Sequence, residues 1–303
     1  MTSEWKAAED FALDRGLVRR SFDAASATYD AAAVLQAEVR GRLHARLDYV
    51  RLDPDVVLDL GAGTGQGARA LKRRYSGARV VAIDLAPGML AAARRRRSWL
   101  RGFDLACADA ASLPLKSGSL DLIVSNLMLQ WCDAPDRVFA EIARTLRAGG
   151  LLTFTTFGPD TLRELRSAWA VVDGYSHVNR FIDMHDLGDG LVRAGLVEPV
   201  MDVEYLTLTY DDTLGLMHDL KAIGAHNVTR GRAPGLTGRR RLQAMQAAYE
   251  RQRQNGKLPA TYEVVYGQAW APAGGRARAR GEVAVPIESL RRRDRGGTRL
   301  GFS

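Results

Sequence analysis

From Val56 to Thr156 the chain alternates short apolar runs with longer stretches whose apolar positions recur at every third or fourth residue. The short runs predict strands over Val56–Leu60, Val80–Asp84, Leu105–Ala108, Leu120–Ser125 and Leu151–Thr156. Helices are expected between them, over Gln66–Tyr75, Pro87–Arg97 and Pro135–Leu146. Pro87 suits a helix start, and the arginines at 94–97 suit a helix end. Strand–helix alternation of this kind predicts an α/β fold, a mostly parallel sheet with helices on both faces. After residue 158 the pattern changes. Helices are expected over Thr161–Val172, Met184–Ala194, Asp212–Ile223 and Arg239–Gln254. Asp202–Tyr210 and Tyr262–Trp270 alternate as strands, which brings the expected sheet to seven, with an antiparallel pairing at its edge. Ahead of the first strand, Phe22, Ala25, Tyr29, Ala32, Ala33 and Gln36 recur at helical spacing within Arg20–Arg46. That stretch is expected to be a helix folded over the ligand mouth, preceded by a disordered lead over 1–19.

The first strand runs into Gly61-Ala62-Gly63-Thr64-Gly65. Such a loop lets the backbone turn sharply and lets a ligand approach closer than a Cβ would permit. Asp84, at the end of the second strand, lies 19 positions beyond Gly65. That is the distance at which a carboxylate meets a ribose hydroxyl pair in a βαβ unit. The spacing is G-x-G-x-G, not the G-x-G-x-x-G of a dinucleotide site. It fits S-adenosylmethionine, which has no phosphate.

Composition narrows the setting. An apolar fraction of 46% is ordinary for a soluble chain of 303 residues, and no apolar run reaches membrane-spanning length. The front has no signal-type apolar stretch, and neither Cys107 nor Cys132 sits in a C-x-x-C pair. Both point to a cytoplasmic protein with buried free thiols. The net charge is +8, and eight arginines against three acids place +5 of it in the tail from Pro272 to Ser303. The tail holds no aromatic but Phe302, so it reads as a disordered extension and not as a nucleic-acid arm. The histidines at 44, 177, 185, 218 and 226 show no metal-ligand spacing, and no metal is expected.

In an open α/β sheet, ligands bind beyond the carboxyl ends of the strands. The residues expected there are Asp59, Gly61, Ala62, Gly63 and Gly65, then Asp84 with Leu85 and Met89. Asp109 and Ala110 follow on the adenine side. Asn126, Leu127 and Gln130 follow the fourth strand, with Asn126 orienting the ligand from below. Trp131 and Tyr29 are candidates to face a sulfonium through cation–π contact. The segment Ser125–Trp131 carries no basic group and no Asp-Pro-Pro-Tyr-like motif. That points to a nucleophile already ionised at neutral pH, such as a carboxylate.

Together these residues resemble the class I S-adenosylmethionine-dependent methyltransferases, a Rossmann-like fold. Within that group they resemble the malonyl-acyl-carrier-protein O-methyltransferase family of biotin synthesis. The likeness spans about 20–270. It rests on Ser21–Ala25 with Tyr29-Asp30 and Gln36, on Leu58–Gly65, on Ser125-Asn126, Gln130–Cys132 and on Phe154–Phe157. More specific are His177–Phe181, Leu220-Lys221 with Ile223–Ala225, and Leu258–Tyr262. The resemblance implies one domain over 20–271: a lid helix over 20–50, a cofactor core over 51–157 and a substrate-side insertion with the last strands over 158–271. It implies methyl transfer to the free carboxylate of a malonyl thioester on acyl carrier protein. Arg180 is then the first candidate for gripping that carboxylate, with His177 and Lys221 behind it. Arg232 and the arginines 239–241 are candidates to steer an acidic carrier. Other readings are a cofactor-binding assembly factor of a respiratory complex, a nucleic-acid methyltransferase, and a methyltransferase of free small acids.

Overall fold

The computed structural model describes residues 13–98, 102–225, 227–229 and 237–274. The tail from 275 onward, Arg232 and His226 therefore lie outside the described residues, as do residues 1–12. The front of the chain forms three helices and not one: α1 (Arg15–Ala25), α2 (Tyr29–Ala32) and α3 (Val34–Arg46). Two hydroxyls explain the first break. Ser26 Oγ donates to the Asp23 carbonyl and Thr28 Oγ1 to the Ala25 carbonyl, at 2.8 and 3.2 Å. Such local bonds compete with a continuing helix. The expected disordered lead is also corrected from residue 13 onward. The Asp14 carboxylate caps α1 by accepting the Leu17 N–H at 2.9 Å, the Leu13 N–H donates to Asp133, and Val18 is buried.

The alternating core follows in the expected order. It comprises β1 (Val56–Leu60), α4 (Gln66–Arg74), β2 (Arg79–Asp84), α5 (Pro87–Arg96), β3 (Asp104–Cys107), β4 (Leu120–Asn126), α6 (Pro135–Thr145) and β5 (Leu146–Phe157). Then come α7 (Arg163–Ala170), α8 (Met184–Arg193), β6 (Val197–Tyr210), α9 (Thr213–Ala222), α10 (Arg239–Glu250) and β7 (Leu258–Trp270). One seven-stranded sheet results, ordered β3-β2-β1-β4-β5-β7-β6. The pairs from β3 through to β5 are parallel, and β7 runs antiparallel to both β5 and β6. The final strand is thus inserted inside the sheet, and β6 forms the edge. Burial agrees: β7 is buried at nearly every position, whereas β6 alternates with solvent. Val39, Leu43, Leu71, Trp169 and Tyr249 pack one face of the sheet. Phe139, Ile142, Leu187 and Leu191 pack the other. Chain order reverses between β1 and β4, so the crevice for a ligand opens at their carboxyl ends.

Beyond the end of β5, the stretch 158–164 takes over the pairing with β7. The Gly158 and Leu162 N–H groups donate to the Glu263 and Thr261 carbonyls, at 2.9 and 2.6 Å. The buried Glu164 accepts the Thr261 N–H at 3.0 Å and its hydroxyl at 2.5 Å. A Cβ at Gly158 would lie 2.4 Å from Glu263 Cδ and displace the carboxylate that accepts the Asp160 N–H at 2.6 Å. This zipper sets the position of α7 against the sheet. Glu164→Ala strands the buried Thr261 N–H, and is expected to lower unfolding free energy by about 1–3 kcal/mol. Urea unfolding checks this; an unchanged midpoint contradicts the assignment.

Candidate functional site

The loop after β1 is built from left-handed glycines, with φ +76° at Gly61, +53° at Gly63 and +80° at Gly65. A Cβ on Gly61 would strike Met128 at 2.2 Å, whereas a Cβ on Gly63 would enter open space. That open space is a cavity of about 190 Å³ at the sheet's carboxyl end. The Asp84 carboxylate holds the loop from one side. It accepts the Gly63 N–H and the Ala86 N–H, both at 2.8 Å. Burial pushes Asp84 above the usual carboxylate range, and those two N–H groups oppose the rise. Leu85 and Met89 line the same cavity.

Just beyond β3, Asp109 and Ala110 line the cavity. Asp109 accepts the Ala111 N–H at 2.9 Å and forms an ion pair with Arg15 of α1. Sequence reasoning missed Arg15, which fell in the stretch read as disordered. The helical spacing of Leu13, Leu17 and Val18 was the available signal. Three residues named with the loop sit behind it instead of lining it: Asp59, Ala62 and Gly65. Asp59 is 4% exposed and accepts the Ala68 N–H at the start of α4, while its Oδ2 has no partner. Burial pushes its carboxyl up to about 7; Ala68 opposes that shift and Asp84 adds to it.

Asn126 and Leu127 line the cavity, but their polar groups are largely spent on architecture. Asn126 Nδ2 donates to the Gln36 carbonyl at 3.1 Å, and its Oδ1 accepts the Thr155 hydroxyl at 2.9 Å. Leu127 has φ +50°, a costly value for a branched side chain. Gln130 secures it. Its Nε2 donates to the Leu127 carbonyl at 2.7 Å, and its Oε1 accepts the Thr156 hydroxyl at 3.2 Å. Gln130 therefore braces the loop, and it lines the two neighbouring cavities described below instead of this one. Tyr29 and Trp131 do line it, together with Phe22, which meets Trp131 edge-on at 5.1 Å. Burial, with Asp84 adding to it, raises the Tyr29 hydroxyl well above its ordinary value, so it stays protonated.

Phe22, Tyr29, Leu127 and Trp131 also line a second cavity of about 110 Å³, the inner chamber. Its far wall carries Phe157, Phe181, Leu165 and Tyr262. Gln130, His177, Val178, Asn179 and Phe181 are shared between this chamber and an open outer cleft of about 880 Å³. His177 stands at that boundary. Its ring stacks on Trp169 at 3.7 Å, and Nε2 lies 2.8 Å from Asp173. Burial works to raise Asp173, but His177, the Tyr175 N–H and Arg241 outweigh it and hold the carboxyl at about 2. Arg180 lines the outer cleft and not the inner chamber. Lys221 is exposed and lines neither. Leu220 and Ile223 turn to the chamber, so helical geometry sends the intervening Lys221 outward. Among the described residues, no three His, Cys, Asp or Glu side chains gather as a metal site.

The residues fit S-adenosylmethionine: a glycine cradle open where a Cβ would intrude, a carboxylate at the end of β2 and a second at the end of β3. The "Methyltransferase domain" family matches residues 58–154. The chain is 58% identical to a malonyl-(acyl-carrier protein) O-methyltransferase of Laribacter hongkongensis, over 88% of this chain and 92% of that protein. It is 54% identical to a protein of the same name from Methylovorus, with the same coverage. Among solved structures, the YcgJ protein from Bacillus subtilis superposes with a TM-score of 0.55 at 16% identity, over 77% of this chain and 98% of that one. That likeness concerns the fold alone.

The orphaned Asp59 makes stability depend on pH. Its folded-state pKa, about 7, is above the ordinary value of 3.8, so the native state holds a proton that the unfolded chain releases between them. The penalty of charging it therefore grows as pH rises from about 4 to about 7 and then levels off. Asp59→Asn keeps the acceptor for Ala68 and removes this penalty. The stability of the variant relative to the parent, both free of cofactor, is expected to rise over that pH window. A flat difference in urea midpoints between pH 5 and pH 8 contradicts it.

Proposed function

The chain belongs to the malonyl-(acyl-carrier protein) O-methyltransferase family, and from that premise we propose how the three cavities described above divide one reaction among them. It is a carboxyl O-methyltransferase whose cofactor is S-adenosylmethionine and whose acceptor is the free carboxylate of a malonyl thioester on acyl carrier protein. When bound, S-adenosylmethionine supplies an electrophilic methyl group on a positively charged sulfur. Asp84 would hold its ribose, Asp109 its adenine amino group, and the main chain at 61–65 its methionine part. The acceptor carboxylate is already ionised at neutral pH, so no side chain must remove a proton. Tyr29, held protonated, is not asked to act as a base. The protein's work is to align the reactants and exclude water. Tyr29 and Trp131 are the aromatic faces proposed to meet the sulfonium.

The observation that carries this reading is the shared wall. Phe22, Tyr29, Leu127 and Trp131 border both the cofactor cavity and the inner chamber, so the two abut across these four side chains. The outer cleft, which is open to solvent and much larger, suits the thioester-bearing arm of the carrier. Arg166 and Arg180 line it, and both suit the phosphate that such an arm carries. Arg239–Arg241, on α10, would steer the acidic carrier protein, with Arg241 already tied to Asp173. No nucleic acid enters this reading. The ester removes a charge that an apolar elongation pocket would reject, which fits a step toward the pimeloyl precursor of biotin. Among the described residues no helix is long and apolar enough to cross a membrane. Cys107 and Cys132 are free thiols, Cys107 exposed and Cys132 half-buried where burial was expected of both. Unpaired cysteines suit a cytoplasmic setting.

The test is transfer of labelled methyl to malonyl-acyl carrier protein, malonyl-coenzyme A and a free dicarboxylic acid. Ester is expected fastest on the carrier. Arg180→Ala should raise KM for malonyl-carrier protein roughly tenfold with kcat kept, as for losing a hydrogen bond to a charged group. Tight cofactor binding without ester on any acceptor would favour an assembly factor. Preference for the free acid would favour a small-acid enzyme.

A further inference from the structure

We infer that the side-chain amides of Gln36 and Asn179 hold the malonyl carboxylate in the inner chamber through neutral N–H donors. The inference rests on the malonyl-thioester reading and adds which groups recognise the acid. Gln36 is 8% exposed and Asn179 is 6% exposed, and both line the chamber. The Gln36 main chain is fixed by Asn126, yet its side-chain amide has no hydrogen-bond partner among the described residues. Asn179 Oδ1 accepts the Val228 N–H at 3.3 Å, which sets the orientation of the amide and leaves Nδ2 without a partner among the described residues. Neither amide is sealed from the cavity, because Asp59 Oδ2 alone is both fully buried and unpartnered among the described side chains. Buried amides left open in this way mark where a ligand completes the hydrogen bonding.

The rest of the chamber carries no cation among its described residues, and beside the two amides its polar lining includes the Tyr29 and Tyr262 hydroxyls and the His177 ring. Leu35, Leu165, Phe157 and Phe181 are apolar, and among the described lining residues there is no arginine or lysine. Asp219 is exposed at the rim and takes the Tyr210 hydroxyl. Neutral donors suit the chemistry. A guanidinium fork would engage both carboxylate oxygens and stabilise the charge that must attack. Amide N–H groups orient the acid and leave an oxygen lone pair for the methyl carbon. They also set specificity. An acetyl group presents no carboxylate and leaves both amides unpaired, and the neutral ester product is a poorer acceptor than the ionised acid.

The test uses the full chain with Gln36→Met and Asn179→Asp. The second variant keeps the acceptor for Val228 while removing both donors. Binding of malonyl- and acetyl-acyl carrier protein is measured by calorimetry without cofactor, and KM and kcat are measured separately. The parent should prefer the malonyl form. Each variant should lose about tenfold to a hundredfold of that preference, the range for a hydrogen bond to a charged group. KM should rise by a similar factor, and cofactor affinity should be unchanged, which verifies folding. Gln36→Glu, which places a like charge at the same position, should weaken malonyl binding further than Gln36→Met. A preference that persists in both variants overturns the inference. So does loss of preference in Arg180→Ala alone. A parent that esterifies no malonyl carrier overturns the reading beneath it, and the parent control reveals that separately.

Discussion

Between β1 and α4 the main chain turns through three left-handed glycines, and the Asp84 carboxylate holds the turn by accepting the Gly63 N–H. The neighbouring features follow from that turn. Met128 fills the space that a side chain at 61 would occupy, and the loop after β4 packs against it. Asp59 is shut behind the turn, where its carboxylate meets the first turn of α4 and loses contact with water. Asp84 is asked to fix the loop and still face the cavity, which it can do because each carboxylate oxygen accepts more than one donor.

Much of this was legible in the sequence because of how the sheet is buried. Strands β1, β2 and β4 are covered on both faces, so they read as largely apolar runs, broken inside by Asp59 and Asp121, and the glycine loop and Asp84 follow from their spacing. The position of β7 was not legible. Its alternating pattern announces a strand much like β6, and only the folded chain shows that β6 lies outside it. The start of α1 was hidden by its charges: Arg15, Arg19 and Arg20 are exposed, and Val18 and Ala25 are its buried residues. With α1 unseen, the partner of Asp109 was unseen too.

The substrate side shows a different limit. His177, Asn179 and Arg180 stand close together in a stretch that the family resemblance singled out, yet they do three different things. His177 is stacked and paired as part of the wall, Arg180 faces the outer cleft, and Asn179 turns its amide inward. Charge drew the sequence reading toward the arginine. That an amide lacks a partner is a fact of the folded state, and no pattern of residue types contains it.

The bond from Asn126 to the Gln36 carbonyl divides the front of the chain into two mechanical parts. Helix α3 is held to the sheet by that bond and by Val39 and Leu43, which are fully buried, so it moves with the core. Helices α1 and α2 are fastened by a small apolar cluster around Val18 and Phe22 and by polar contacts: Asp23 to the Gly88 N–H, Asp30 to Thr64 and Arg96, and Arg15 to Asp109. Partly exposed contacts of this kind open at far lower free energy than a packed core. At Ala33, with ψ +45°, the helical path breaks between the two parts. A swing of residues 15–32 about it would uncover the cofactor cavity while the sheet, α3 and the Gln36 main chain stay in place.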